Sequence, residues 1–265
     1  MNDQHPLRKS KLTSFAITAF FLIVTVLTVL IFLAFCRVKT VNIENCVFSD
    51  KQTVMKAGKI NVGMHIYALD KEKVEERIKE ANPYVCDVYI TRTGMTTLNI
   101  TLTEDAPGFY IEQDGKYIVL SETLRVLEIC NSKAEFPTSS VAQISLPPVE
   151  TAVLKKTLEF KEDLVSYGKE CIEILEAIAA SGLSGTLTYA DISEKFDLRV
   201  TYKDKYDIRF GSPYKLSEKL SLAVETIEYL EDPINRLSTA KGIIHASVIG
   251  ETSFEATGAI GEETQ

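Results

Sequence analysis

Histidine, cysteine, paired serine and lysine, and paired carboxylates are the side chains here that would do chemistry if the fold gathered them. His5, His65 and His245 stand alone, without the H-x-x-H or H-E-x-x-H spacing that sets two imidazoles on one helix face around a metal. The five cysteines, Cys36, Cys46, Cys86, Cys130 and Cys171, include no C-x-x-C pair. That argues against a zinc site or a dense disulfide framework and for small buried apolar side chains, with Cys46 and Cys86 free to pair only if the fold brings them together. The S-x-x-K spacing, in which a lysine activates a serine nucleophile, occurs at Ser166–Lys169, Ser212–Lys215 and Ser238–Lys241. With 18 serines and 21 lysines in 265 residues, about one or two such pairs arise by chance, and the companion S-D-N and K-T-G motifs are missing. Neither a G-x-S-x-G elbow nor a glycine-rich phosphate loop is present. The 37 carboxylates read as a solvated acidic surface with no pair singled out as acid and base. These residues single out no catalytic centre, no metal site and no cofactor motif.

Charge narrows the partners. The formal net charge is −8, and because Arg8, Lys9 and Lys11 against Asp3 precede residue 37, the remainder carries −10. Such a body is a poor electrostatic match for nucleic acid or anionic head groups, although a local basic patch would escape that count. Residues 12–36 hold no charge, and 15–35 are almost wholly apolar. At about 1.5 Å per residue this run crosses a hydrocarbon core of roughly 30 Å. It is longer than the core of a cleaved signal peptide, and Phe35 stands where cleavage needs a small residue, which predicts a retained anchor over 13–36. Three basic residues precede the span and Arg37 and Lys39 follow it, a bias of three to two for a cytoplasmic N-terminus (residues 1–12) with 37–265 outside. Thr18, Thr25 and Thr28 share a helix face, and either meet a partner helix or bond back to their own.

Beyond the anchor the period alternates between strand and helix. Val41 and Ile43 alternate with Asn42 and Glu44 as a half-buried strand. Ser49 to Gln52 matches a capping box opening a short helix that stops at Gly58. Asp70 caps a second helix over 71–81, with Val74, Ile78 and Ala81 as its buried stripe and Pro83 beyond its end. Two strands around 88–91 and 97–103 join through Arg92 to Thr96 as a hairpin.

This βααββ stretch resembles a POTRA domain of the kind found in the bacterial division proteins FtsQ and DivIB. The resemblance is carried by Val41-Asn42-Ile43-Glu44-Asn45, Ala57-Gly58, Val62-Gly63-Met64, Leu69-Asp70, Asn82-Pro83-Tyr84-Val85, Val88 to Arg92, Leu98 to Glu104 and Pro107. Gly94-Met95 replaces a hairpin proline common in the family, and Cys46 replaces a glycine-asparagine turn. The similarity extends into a second, larger β domain over 107–254, beginning with Tyr117 to Glu122 and Val126-Leu127 around an Asp114-Gly115 hairpin. Within it the pattern predicts a loop over 131–150, a helix from Leu154 to Leu183 divided at Gly168, strands over 186–192, 196–202 and 206–210, a helix over 215–230, a last strand over 242–249, and a disordered tail over 255–265. The fold class expected is therefore α+β: one transmembrane helix, a POTRA domain and a mixed β domain with flanking helices.

The resemblance implies a single-pass scaffold of the cell membrane, enriched at the division septum. It would hold FtsL-type and FtsB/DivIC-type partners outside the membrane and support septal peptidoglycan synthesis. An anchored extracytoplasmic cell-wall enzyme is the alternative. A POTRA-bearing secretion factor would need a β-barrel after residue 107, which the two expected helices oppose. In the resembled family partner segments add as strands near the end of the β domain. The matching residues are Ile243, Ile244, His245, Ala246, Ser247 and Val248, uncharged and without proline, with Phe254 standing in for an aromatic anchor. The competing reading is an interior strand with both neighbours internal.

Overall fold

The computed structural model describes residues 7–257 apart from 236 and 238, and its contacts divide the chain at Glu104/Asp105 into two units. Expectations for residues 1–6 and 258–265 lie outside the described residues.

The first helix, α1, runs Leu7–Phe35. Its apolar stretch Ser14–Phe32 has no buried share and is long enough to cross a membrane. Thr18, Thr25 and Thr28 donate their hydroxyls to the carbonyls of Ser14, Phe21 and Val24, each at 2.8 Å. The helix therefore satisfies its own hydroxyls, as a segment in hydrocarbon must.

The rest of the first unit is β1 (Thr40–Glu44), α2 (Lys51–Gly58), α3 (Lys71–Ala81), β2 (Val85–Thr93) and β3 (Thr97–Glu104). The strands lie in the order β1-β3-β2, with β1 parallel to β3 and β2 antiparallel to it. Alternate residues Ile43, Ile90, Leu98, Ile100 and Leu102 face Val54, Val74 and Ile78 of the helices to make one core. Asp70 caps α3 as expected. The cap of α2 is Asp50, which accepts the Thr53 N–H at 3.0 Å, rather than Ser49. Ser49 instead accepts from the Asn82 amide at 2.6 Å. Gly58 is not the left-handed residue, since Lys59 takes that conformation with φ 54°; a Cβ at Gly58 would press within 2.9 Å of Ile60. The Glu104 carboxylate gathers three backbone N–H groups of the β1–α2 loop, from Val47 at 2.7 Å, Phe48 at 2.8 Å and Ser49 at 3.1 Å.

The second unit contains β4 (Phe109–Gln113), β5 (Lys116–Leu120), β6 (Val126–Cys130), β7 (Ala142–Ser145), β8 (Val149–Thr151), β9 (Glu159–Phe160), α4 (Val165–Ala180), β10 (Leu187–Asp191), β11 (Leu198–Tyr202), β12 (Tyr206–Gly211), α5 (Leu216–Glu231), β13 (Gly242–His245) and β14 (Ser253–Ala256). Nine strands form one sheet in the order β14-β13-β12-β11-β10-β7-β4-β5-β6, and β8 pairs β9 separately. Ile174, Leu175 and Ile178 of α4 and Leu220, Ala223 and Ile227 of α5 pack on Phe109, Leu120, Val200, Ile208 and Phe210 of the sheet. Two hairpins turn through residues with positive φ, Asp114-Gly115 at 52° and 72° and Lys203-Asp204 at 50° and 52°, a handedness that matches strand twist.

Three expectations are corrected here. The helix begins at Val165 rather than Leu154, because Leu158 donates its N–H to Leu124 and Phe160 pairs with Val149. The segment 131–150 is not loop throughout: β7 lies within it and joins β4 to β10 by parallel pairing on both sides. Glu255 and Ala256, expected in a disordered tail, belong to β14.

Gly168 does not divide α4. A Cβ there would overlap the Phe160 ring, so the glycine is where the helix lets the β8–β9 hairpin approach. Gly168→Ala is expected to lower the stability of this unit by about 1–3 kcal/mol, read as a lower urea midpoint for the detergent-solubilised chain. An unchanged midpoint would show that Phe160 swings aside freely.

Candidate strand-addition edge

The residues singled out at the end of the chain divide between two strands. Gly242 to His245 form β13, which is flanked by β12 in parallel and β14 in antiparallel register, so the expected free edge is an interior strand. Ile244 is fully buried, Ile243 and His245 are partly exposed, and Ala246 continues the pairing through its N–H to the Arg209 carbonyl at 2.9 Å. Ser247 and Val248 lie beyond β13 in the connection to β14. Phe254 is on the terminal strand itself.

The free edge is therefore β14. Thr257 donates its N–H to the Lys241 carbonyl at 2.8 Å, and successive residues of a strand turn their polar groups to opposite sides. Ser253 and Glu255 thus bond inward to β13, while Phe254 and Ala256 direct N–H and C=O outward. Among the described residues no strand lies beyond them. At the opposite end of the sheet only the start of β6 is shown paired on its outer side, where Val126 exchanges hydrogen bonds with Lys155 and Lys156. An edge strand with such outward backbone groups is a template for an added strand.

The edge is braced from behind. The Phe254 ring meets Tyr206 edge-on at 5.9 Å, and the buried Tyr206 stacks on Tyr202 at 6.3 Å. Gly242 lets Phe254 and the backbone of Glu255 come close, since a Cβ there would collide with both. Thr226 of α5 bonds Thr252 at 2.8 Å, just before β14. Between α5 and this strand runs a groove of 420 Å³ walled by Leu222, Tyr229, Leu230, Leu237 and Phe254. Lys219, buried in α5, donates to the carbonyls of Phe210 and Ser212 at 3.0 and 2.9 Å and so ties the helix to the end of β12. Burial pushes its pKa down. The alternation of LSEKLS gives no hint that this lysine faces inward.

The other reactive side chains are dispersed. All five cysteines are free: Cys46 bonds the Ser49 carbonyl and Cys86 that of Thr103. Burial pushes the thiols of Cys130 and Cys171 up to about 11 and about 12, which leaves them protonated at neutral pH. Lys215 pairs with Glu218 at 2.9 Å, and His245 sits 3.3 Å from the Glu255 carboxylate. Ser238 of the third S-x-x-K pair lies outside the described residues.

Residues 36–105 match the family described as POTRA domain, FtsQ-type. Over 195 residues the chain is 24% identical to cell division protein DivIB of Clostridium acetobutylicum, which spans 74% of this chain and 75% of that protein. It is 19% identical over 248 residues to DivIB of Clostridium botulinum strain Loch Maree, covering 93% and 92% of the two chains. Cell division protein FtsQ of Corynebacterium glutamicum is 21% identical over 199 residues, covering 74% of this chain and 80% of that one.

Proposed function

Because the chain is of the FtsQ/DivIB family of cell division proteins, we propose that it is a non-catalytic scaffold of the divisome whose partners add a strand to β14. The N-terminus lies in the cytoplasm, α1 crosses the membrane, and both folded units work outside at the septum. There the chain holds FtsL-type and FtsB/DivIC-type proteins and supports septal peptidoglycan synthesis. The observation that carries this reading is the position of β14 at the end of the nine-stranded sheet, where the outward groups of Phe254 and Ala256 meet no further strand among the described residues. Main-chain bonds to Phe254 and Ala256 supply affinity, and the groove beside Tyr229 and Leu237 accepts apolar side chains of the incoming segment. Anchoring confines all partners to one membrane, which raises their effective concentration and lets a short edge suffice.

Ala256→Pro removes one outward N–H and leaves the inward bonds of β14 in place. Co-purification of the FtsL-type and FtsB/DivIC-type partners with the full chain is expected to fall at least tenfold, about 1.4 kcal/mol, with circular dichroism unchanged. Undiminished co-purification by the folded variant would remove the site from this edge. Peptidoglycan turnover by the purified chain would favour the anchored wall enzyme instead.

A further inference from the structure

We propose that the membrane-side end of the first unit is a docking surface for anionic lipid, in which Arg37 and Lys39 meet lipid phosphates while Val62, Tyr67 and Met95 enter the interface. The membrane span fixes where this surface lies. The helix ends at Phe35, so Arg37 and Lys39 stand within about 15 Å of chain from its last turn. Residues 37–40 then organise everything nearby. The N–H groups of Lys39 and Thr40 both reach the Thr96 carbonyl, at 2.8 and 3.2 Å, which draws the β2–β3 hairpin tip beside the exit point. Val38 bonds Met64 and Gly63 at 2.9 and 2.7 Å, and Arg37 bonds the Gly63 carbonyl at 3.0 Å, which draws in the loop carrying Val62. Tyr67 stacks on Phe32, in the final turns of the span, at 5.5 Å, and the Arg92 guanidinium, which donates to the Leu69 carbonyl at 2.9 Å, lies 5.4 Å over the same ring and holds it in place.

Three apolar side chains at these tips face outward: Val62 at 65%, Tyr67 at 49% and Met95 at 54% exposure. Exposed apolar tips beside a span, with aromatic and basic residues interleaved, are the composition of an interfacial anchor. Arg37 and Lys39 form no ion pair with a carboxylate among the described residues, although the chain as a whole is acidic. Arg37 and Lys39 are exposed cations held at the bilayer surface by the chain itself, and each adds attraction to anionic head groups. The net acidity of the body therefore does not govern this end of it.

The test uses the full chain in nanodiscs of phosphatidylcholine with and without phosphatidylglycerol, with retained lipid identified by native mass spectrometry. Preferential retention of phosphatidylglycerol is expected. Arg37→Gln/Lys39→Gln should lower that preference about fivefold for each charge removed, and Arg37→Lys/Lys39→Arg should restore it. Lys39→Gln alone keeps every backbone bond of the exit and should show the single-charge loss. Met95→Ser should deprotect amides 94–96 to hydrogen exchange in the same discs. Equal retention of the two lipids, or an unchanged preference in the folded double variant, overturns the site while leaving the anchor in place. A chain that does not enter the discs overturns both.

Discussion

Gly242→Val is expected to abolish partner binding by the full chain while leaving the POTRA unit folded. A Cβ at residue 242 collides with the backbone oxygen of Glu255 and with the Phe254 ring. A ring can rotate, but a carbonyl in a ladder cannot move without carrying the strand with it. The β13–β14 register, Gly242 with Ala256 through His245 with Ser253, is therefore lost from the end where it is tightest. Phe254 leaves Tyr206, and the outward groups of residues 254 and 256 no longer form a row. Co-purification of division partners should fall more than tenfold, with no substitution at any position a partner would touch. The cost to the second unit should be modest, about 1–3 kcal/mol, because only a four-residue strand is released. Hydrogen exchange separates the cases: fast exchange at 253–257 with protected β11 and β12 is the expected pattern, and protected 253–257 with partners still bound would refute it.

Glu104→Ala is expected to destabilise the first unit by about 3 kcal/mol, since hydrogen bonds to a charged group contribute more than neutral ones and their loss strands donors. Val47, Phe48 and Ser49 present their N–H groups to this one carboxylate. Removing it frees the loop that delivers Asp50 to the start of α2 and Ser49 to Asn82. Faster hydrogen exchange at the Val47, Phe48 and Ser49 amides, alongside thermal unfolding, would report the loss locally. Glu104→Gln keeps one acceptor oxygen and should recover part of the stability. An unchanged melting temperature for Glu104→Ala would show that water serves the three amides equally well.

The βααββ unit was legible because each of its elements carries its own period, and because Asp70 and Pro83 mark helix ends in a local code. The second unit was legible only where elements are long or joined by tight turns. At β7, Ala142 to Ser145 offers one alternation between proline-containing stretches, and its identity as a strand comes from β4 and β10, more than thirty residues away on either side. Leu154 and Leu158 continue a helical spacing into α4, yet pairing of 149–151 with 159–160 prevails over it. The edge was misplaced by one strand for the same reason. The apolar run at 242–246 announces a strand, but which strands flank it is decided by a parallel return through α5 and by Ser253 to Ala256, a segment too short and polar to signal itself. Glu104 and Gly242 were not legible as key positions, because each acts on backbone groups of another strand or loop well away in sequence, and Lys219 was not, because a lysine in a polar stretch reads as exposed.

The position of β14 also bears on proteostasis. Among the described residues it is the last strand in sequence as well as the outermost in its sheet, so a cut or a premature stop between 246 and 253 leaves the other eight strands of the sheet able to form. The newly bared margin would then be Gly242-Ile243-Ile244-His245-Ala246, with no proline and no charge to deter pairing with another copy. A shortened chain would thus exchange a selective docking rim for an adhesive one. Cells expressing such truncations should accumulate membrane-associated aggregates rather than simply lack a functional division protein.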